Sequence, residues 1–226
     1  MALATDATII YPDSDGQPMA DNTVQFRWLV LIKENLECLF ADAADVFVAG
    51  DLLWYPVEGH PEIRVAPDVM VVFGRPKGER GSYRQWEEDN IAPQVVFEIL
   101  SPGNTFKEMA KKLKFYDCYG VEEYYVYDPE GADLTGLQRR EGELAFIEEM
   151  SDWVSPRLGI RFGWVEGHLT IYYPNGRPFL TTVELAQRLE QSEQRAEQEY
   201  QRAQQMEQRA ERLAAQLRAL GVEPEV

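Results

Sequence analysis

A nearly continuous apolar stretch, followed by an amphipathic helix pattern and a second stretch with a strand pattern, is the feature that most constrains the fold. The first stretch is APQVVFEIL at residues 92–100, and the second is VEEYYVYDP at residues 121–129. A strand with so few polar residues is typical of a central strand buried on both faces. Strand, helix and strand in close succession predict a right-handed crossover within a mixed α/β sheet.

The remaining elements are predicted from apolar periodicity and turn residues. A helix is expected over residues 23–40, capped by Asp21 or Asn22, and Gly120 is expected to close the helix over residues 106–119. Residues 74–90 lack a period and predict a long loop with room for a short helix. The expected strands are a pair over 46–50 and 51–57 joined at Gly50-Asp51, a strand over 64–73, a pair over 134–148, and a pair over 168–180 turning at Asn175-Gly176.

Three segments are expected along the chain. Residues 1–20 form an N-terminal arm, residues 21–180 form the α/β domain, and residues 181–226 form a C-terminal helix that repeats every seven residues from Gln187. The predicted a positions of this heptad are Leu189, Ala196, Ala203, Ala210 and Leu217, and the d positions are Ser192, Glu199, Met206, Leu213 and Leu220. The repeat favours a coiled coil and a homodimer or higher homo-oligomer. A single solvated helix, stabilised by Glu–Arg neighbours, is the alternative.

Composition excludes several classes of site. The chain has two cysteines and two histidines, too few for a disulfide framework, a zinc site or a histidine metal cage. Cys38 and Cys118 lie in helix patterns and are expected to be reduced core or helix-face residues. The absence of a signal-peptide pattern and of a membrane-length apolar run predicts a soluble, cytoplasmic protein. The net charge of −17 counts against non-specific DNA binding.

Two acids occur where the pattern predicts buried strands. Asp68 follows Pro67 at the start of the strand VMVVF, and Glu98 lies within VVFEIL. Burial of a carboxylate is costly unless it is paired or bound to a metal. If the two strands are neighbours, the acids form an oxygen site suited to Mg²⁺ or Mn²⁺. The helix that follows supplies several basic side chains nearby: Lys107, Lys111, Lys112 and Lys114.

The strings APDVMVVF, VVFEILSPGN and AKKLKFYDCYGVEEYYVYDP, in this order, resemble the PD-(D/E)XK nuclease superfamily and, more narrowly, the Uma-type family of restriction endonucleases. The resemblance implies a restriction-endonuclease-like core, with a mixed central β-sheet flanked by helices. It also implies that Asp68 and Glu98 bind a metal together with the backbone carbonyl of Ile99. The lysine usual two residues after the glutamate is replaced by Leu100. Lys112 is its expected substitute, because it precedes Tyr116 by four residues and shares its helix face.

The resemblance implies a Mg²⁺- or Mn²⁺-dependent endonuclease acting on DNA. Glu108, Tyr116 and Asp51 are candidate accessory residues, and further acids could come from Asp13, Asp15, Glu34 or Glu37. The loop bases Arg75, Lys77, Arg80 and Arg84, interleaved with Tyr83 and Trp86, are the candidate DNA contacts. For each residue a structural reading competes: a hydrogen-bonded acid, a helix cap, a solvated lysine or a flexible loop.

A second function from another class stays open. The strong acidity and the C-terminal repeat also fit a non-catalytic or partner-dependent assembly module that oligomerises through its coiled coil. A Ser–His–Asp hydrolase is disfavoured, because the sequence has no G-x-S-x-G motif. A nucleotide-binding fold is disfavoured as well, because no glycine-rich phosphate loop is present.

Overall fold

The structure is a computed structural model that describes residues 9–14, 16 and 18–219. The elements in chain order are α1 (Thr23–Leu39), β1 (Val46–Gly50), β2 (Trp54–Tyr55), β3 (Val69–Phe73), β4 (Tyr83–Arg84), a 3-10 turn (Gln85–Glu87), β5 (Val95–Ile99), α2 (Phe106–Cys118), β6 (Glu123–Asp128), β7 (Asp133–Arg140), β8 (Glu143–Phe146), β9 (Arg161–Val165), β10 (His168–Tyr172) and α3 (Thr182–Ala219). Asp15 and Leu220 lie outside the described residues.

Six strands form one mixed sheet in the order β1-β3-β5-β6-β7-β8. The β5–β6 pair is parallel, and the other pairs of this sheet are antiparallel. Helix α2 connects the two parallel strands. The predicted strand–helix–strand unit is therefore confirmed, and so is the mixed α/β fold class. Every residue of β5 is buried, as its apolar sequence predicted.

The two faces of the sheet bury separate cores, because successive side chains of a strand point to opposite faces. One core combines Val69 and Val71 of β3 with Leu29, Ile32 and Leu36 of α1. The other core combines alternate strand residues with side chains of α2: Met70, Val72, Val96, Tyr116 and Tyr124. Helices therefore cover both faces of the sheet. Asp68 lies two residues before Met70, and Glu98 lies two residues after Val96, so both acids are on the face that α2 covers.

Capping residues fix where the two packed helices begin and end. The Asn22 side chain accepts hydrogen bonds from the backbone N–H groups of Val24 and Gln25, and so starts α1. Thr105 and Glu108 form a reciprocal capping box at the start of α2. Gly120, with a φ of 89°, follows the end of α2 in the left-handed region that glycine favours.

The predicted pairing of residues 46–50 with residues 51–57 is wrong. Strand β1 pairs antiparallel with β3, and Asp51, with a φ of 48°, turns the chain out of the sheet. Strand β2 instead pairs in parallel with β4, inside the segment predicted as a long loop. A local hairpin is the default expectation for adjacent apolar runs, but here β3 supplies the longer apolar partner.

The predicted hairpin at Asn175-Gly176 is confirmed only in part, because the chain turns there but β10 forms its ladder with another strand. Strand β10 pairs with the preceding strand β9 through a turn at Glu166-Gly167, both with positive φ, as two-residue hairpin turns require. Residues 175–176 form a turn that is closed by an isolated bridge between Tyr172 and Pro178. The N–H groups of Tyr173 and Phe179 donate to the carbonyls of Arg177 and Ile171 on either side of it. Cys38 and Cys118 are free and exposed on α1 and α2, so of the two expected positions, core or helix face, the structure shows the helix face.

The chain divides into two compact units, the first ending at Phe179 and the second beginning at Leu180. The second unit contains α3, which has 38 residues and begins with a capping box between Thr181 and Glu184. No residue of α3 is buried in the single chain. Among the described helices, none combines the length and apolar character that crossing a membrane requires.

Candidate active site

Strand register brings the two predicted acids side by side. In the β3–β5 pair, Val69 lies opposite Phe97, so the next pair along the ladder is Asp68 opposite Glu98. Residues directly opposite in an antiparallel pair share a face of the sheet. Both acids are buried, with 7% and 3% of their surfaces exposed. The sequence-predicted acid pair therefore lies together beneath α2, at the end of the apolar core on that face.

Helix α2 supplies two direct partners of Glu98. Lys112 Nζ lies 2.6 Å from Glu98 Oε2, and the Tyr116 hydroxyl donates a hydrogen bond to Glu98 Oε1 at 2.5 Å. Residues four apart lie on one face of a helix, which explains why both reach the same carboxylate. The structure thus places Lys112 where the sequence expects the displaced lysine.

Asp68 is held by the backbone of the neighbouring strand. The Ile99 N–H donates a hydrogen bond to Asp68 Oδ2 at 2.6 Å. Burial, followed by the negative charge of Glu98, raises the pKa of Asp68 to about 8, although Lys112 and this hydrogen bond act to lower it. A further positive charge in the site would act to lower the pKa of Asp68 again.

Lys112 keeps its positive charge although it is largely enclosed. Burial acts to lower the pKa of Lys112, but the charges of Glu98 and Asp68 outweigh burial and raise it. The side chain as a whole retains 28% exposure, so Lys112 lies between the buried acids and the surface of the domain. A fixed ammonium at this place can bind an anionic group that approaches the acids.

Two tyrosines form the floor of the site. Tyr116 is fully buried, and its ring lies parallel to that of Trp54 with centroids 6.4 Å apart. The Tyr124 ring contacts Tyr116 with centroids 5.0 Å apart. Burial, followed by the charges of Glu98 and Asp68, raises the pKa of Tyr124. Within the described residues, the Tyr124 hydroxyl is the one buried side-chain polar atom without a hydrogen-bond partner.

Tyr124 was not identified as a site residue from the sequence, although strand register indicates that it lies near the acids. Val96 pairs with Tyr124 in the β5–β6 register, so Tyr124 shares the face of Glu98. That signal depends on knowing that β5 and β6 are neighbours in register. The alternation of EYYVYD alone cannot distinguish the face of the acids from the opposite face.

The Ile99 carbonyl, predicted as a metal ligand, accepts a hydrogen bond from Gln25 Nε2 at 3.0 Å. Gln25 is buried, and its Oε1 accepts a hydrogen bond from the Asp21 N–H at 2.8 Å. A carbonyl oxygen has two lone pairs, so this bond leaves one for another ligand. Gln25 was not identified as a site residue from the sequence. The signal for it was a polar side chain one helical turn before Leu29, on the apolar face of α1.

Two of the predicted accessory acids have different positions. Glu108 is exposed and is used in the α2 capping box, where its Oε2 accepts from the Thr105 N–H at 2.8 Å. Its hydrogen bonds therefore lie at the helix start, apart from Glu98. Asp51 follows β1 next to Asp68, and its N–H donates to the Asp68 carbonyl at 3.2 Å. The Asp51 charge contributes to raising the pKa values of Asp68 and Lys112.

The other predicted acids take part in local contacts away from the pair. Glu34 and Glu37 both bind Lys33 on the exposed side of α1. Asp13 accepts a hydrogen bond from the Ser82 hydroxyl at 3.3 Å. No contact joins any of these three described acids to Asp68 or Glu98.

The predicted DNA-contacting bases are largely engaged within the domain. Arg75 and Arg80 both bind Glu88, at 2.8 Å and 2.6 Å. Lys77 Nζ donates to the backbone carbonyls of Phe40 and Ala41 at the end of α1. Arg84 has the weakest pairing, 3.4 Å from Glu87, and is the most accessible of the three arginines. These contacts give the loop bases a structural role, and DNA binding by them stays a prediction.

The donor set fits a magnesium-type cation better than a zinc-type one. Within the described residues, no three His, Cys, Asp or Glu side chains are grouped so that they could hold a metal by themselves. Mg²⁺, however, is usually bound through one or two carboxylates, with waters and substrate phosphates completing the shell. Asp68, Glu98 and the Ile99 carbonyl provide such hard oxygen ligands, and the unpartnered Tyr124 hydroxyl has room in its bonding for a further group.

The family to which the chain belongs is a nuclease family. The Uma2 family model, described as "Putative restriction endonuclease", matches residues 13–176, which is more than half of the chain. The chain belongs to the Uma2 family, so the resemblance identified from the sequence is confirmed.

Among solved structures, the chain is similar to a crystal structure described as a "putative nuclease" from Anabaena variabilis. The two are 14% identical, with a TM-score of 0.41, and the match covers 57% of this chain and 70% of the other. The comparison with curated proteins found no match.

Proposed function

We propose that this protein is a divalent-metal-dependent endonuclease that hydrolyses phosphodiester bonds of DNA at Asp68, Glu98 and Lys112. The observation that carries the proposal is the buried acid pair joined to a protonated lysine through the 2.6 Å contact between Lys112 and Glu98. A charged buried cluster of this kind is expensive to maintain for stability alone. Perturbed ionisable groups of this kind occur preferentially at functional sites.

The residues of the chain divide the work among them. Asp68, Glu98 and the Ile99 carbonyl would hold Mg²⁺ or Mn²⁺, which when bound lowers the pKa of water and stabilises charge on the phosphate. Lys112 binds a phosphate oxygen and neutralises its developing charge. Tyr116 holds the Glu98 carboxylate in place through its hydrogen bond, and Gln25 does the same for the Ile99 carbonyl.

The test is cleavage of plasmid and oligonucleotide DNA with Mg²⁺ or Mn²⁺, by the full chain and by Glu98→Gln. Glu98→Gln should abolish cleavage, because the amide carries no charge for a cation or for Lys112. The matched control is Glu123→Gln, since Glu123 is an equally buried acid on the adjacent strand β6. Absence of cleavage by the unmodified chain across sequences, strand forms and metals would contradict the proposal, as would full activity of Glu98→Gln.

The second candidate function is an assembly module without catalysis. Two observations favour it: the net charge of −17, and the pairing of Arg75 and Arg80 with Glu88. A folded chain that shows no DNA cleavage and no metal binding, but does associate through α3, would support this function over the nuclease.

A further inference from the structure

Helix α3 carries a narrow strip of seam residues at the a and d positions of its heptads. Its larger members are exposed in the single chain, from 38% for Leu217 to 65% for Met206. The strip consists of Leu185, Leu189, Ser192, Ala196, Glu199, Ala203, Met206, Ala210, Leu213 and Leu217. With 38 residues at 1.5 Å each, the helix is about 57 Å long, enough for five heptads.

Charged residues border this seam with opposite signs on its two sides. The g positions are arginine in four consecutive heptads: Arg188, Arg195, Arg202 and Arg209. The e positions on the other side carry the acids Glu193 and Glu207 and no base: Ala186, Glu193, Tyr200, Glu207 and Ala214. In coiled coils, residues at e and g face the partner helix and set its orientation.

We propose that α3 pairs with α3 of a second copy of this chain as a parallel, in-register, two-stranded coiled coil. In that arrangement, each g residue faces the e residue five positions later on the partner helix. Arg188 then faces the partner's Glu193, and Arg202 faces the partner's Glu207. The same two pairs recur on the other side of the seam, because a parallel dimer is symmetric.

The opposite orientation is disfavoured by the same residues. In an antiparallel pair, g faces g and e faces e, so the four arginines of one helix would lie along the four arginines of the other. Like charges placed directly opposite each other destabilise an interface. The arginine row therefore discriminates against the antiparallel pair and at the same time forms ion pairs in the parallel one.

Two further features limit the assembly to two helices. The arginines at g and the acids Glu193 and Glu207 at e border the seam, so that its larger apolar residues lie mainly at a and d. The outer face of the helix is polar, and its side chains hydrogen-bond to one another: Gln194 donates to Glu190, and Gln201 donates to Glu197. A third helix would have to bury the arginine row or this outer face.

The first test is disulfide cross-linking of the full chain after replacement of the exposed Cys38 and Cys118 by serine. Ala196→Cys and Ala210→Cys are made separately, at a positions about 21 Å apart along the helix. In a parallel in-register pair, each introduced cysteine lies beside the same cysteine of the partner helix, within the distance that a disulfide requires. Both single variants should therefore give a covalent dimer on oxidation.

The result separates the alternatives. In an antiparallel pair, residues 196 and 210 cannot both lie beside the same residue of the partner helix. Such a pair would therefore cross-link one variant at most, or only a mixture of the two. A monomer or a trimer in sedimentation, or cross-linking of one variant alone, would overturn the proposal.

The second test reverses the charges on one side of the seam. Arg188→Glu/Arg202→Glu should weaken the dimer at least about tenfold, because glutamate then faces glutamate on both sides. Glu193→Arg/Glu207→Arg should weaken it similarly, and a mixture of the two variants should form the heterodimer. The matched control is Arg212→Glu/Arg218→Glu, which makes the same charge change at outer positions and should leave the dimer intact.

Sedimentation equilibrium of the full-length variants measures these shifts, and circular dichroism confirms that each variant stays folded. Equal weakening by the seam and outer variants would overturn the proposed pairing. A mixture that gives no heterodimer would overturn it as well.

Discussion

Glu98 and Glu123 show how equally buried acids on adjacent strands can serve different ends. Glu98 has one ammonium and one phenol as partners, next to a second acid. Glu123 accepts from the Tyr125 hydroxyl at 3.0 Å, the Arg157 N–H at 2.8 Å and the Ser155 hydroxyl. Glu123 is therefore satisfied by neutral donors within the fold, and a buried acid in a strand does not by itself mark a catalytic site.

The Glu123→Gln variant should lose stability and keep its activity. The amide presents one oxygen instead of two and turns an NH₂ group toward donors, which costs about 1–3 kcal/mol in the free energy of unfolding. Urea unfolding measures the loss, and DNA cleavage below the transition measures activity. A folded Glu123→Gln variant without activity would place Glu123 in the site and refute this assignment.

Removal of the two buried tyrosine hydroxyls of the site should have different effects on the free energy of unfolding. Tyr116→Phe breaks the 2.5 Å hydrogen bond to Glu98 and should cost about 1–3 kcal/mol. Tyr124→Phe removes a buried hydroxyl that has no partner, so the free energy of unfolding should stay the same or rise.

Thermal and urea unfolding of these two variants, measured side by side without added metal, make the comparison. A loss of more than about 1 kcal/mol in Tyr124→Phe would show that its hydroxyl is bonded in the folded protein.

At the level of elements, local signals predicted the helices and the central strands well. Asn22, Thr105 and Gly120 are capping residues, and the sequence placed the ends of α1 and α2 within a residue or two. Pairing between strands was less accessible. The sequence predicted a local pair over residues 46–57, whereas β1 pairs with β3. It also missed strand β9, which pairs with β10.

Strand pairing depends on contacts between residues distant in the chain, which no local pattern specifies. The acids Asp68 and Glu98 were predicted from their apolar surroundings. Lys112 was predicted from the family resemblance together with its helical spacing to Tyr116. Gln25 and Tyr124 could not be predicted in the same way, because their positions follow from the packing of α1 and from strand register.

In α3, the d position Glu199 should weaken the coiled coil. Two glutamates would face each other in a pair of helices, and Glu199→Leu replaces their repulsion with apolar burial worth about 1.5–3 kcal/mol per side chain. The dissociation constant of the dimer should fall at least tenfold, as measured by sedimentation. Gln198→Leu, at an outer position, is the control. An equal gain from both variants would show that general helix propensity, rather than the seam, determines association.

At the scale of the whole molecule, the net charge of −17 limits the electrostatic contribution to DNA binding. Most loop bases are paired internally, so few remain to displace counterions from phosphates. Each phosphate neutralised adds about 0.9 to the salt slope of binding, so a slope of roughly 2 or less is expected.

Cleavage rates at low DNA concentration, over a series of KCl concentrations at constant Mg²⁺, measure this slope. A slope of about 6 or more would mean that several bases leave their acidic partners to contact phosphates.

The alignment of Asp68 with Glu98 has a consequence for how the chain matures. A slip of β3 by one residue against β5 would turn Asp68 to the opposite face and Met70 and Val72 out of their core. The same register thus creates the hydrophobic packing and the acid pair, so a misfolded chain of this kind loses both together. The proposed nuclease site therefore exists only in a chain that has folded in the correct register.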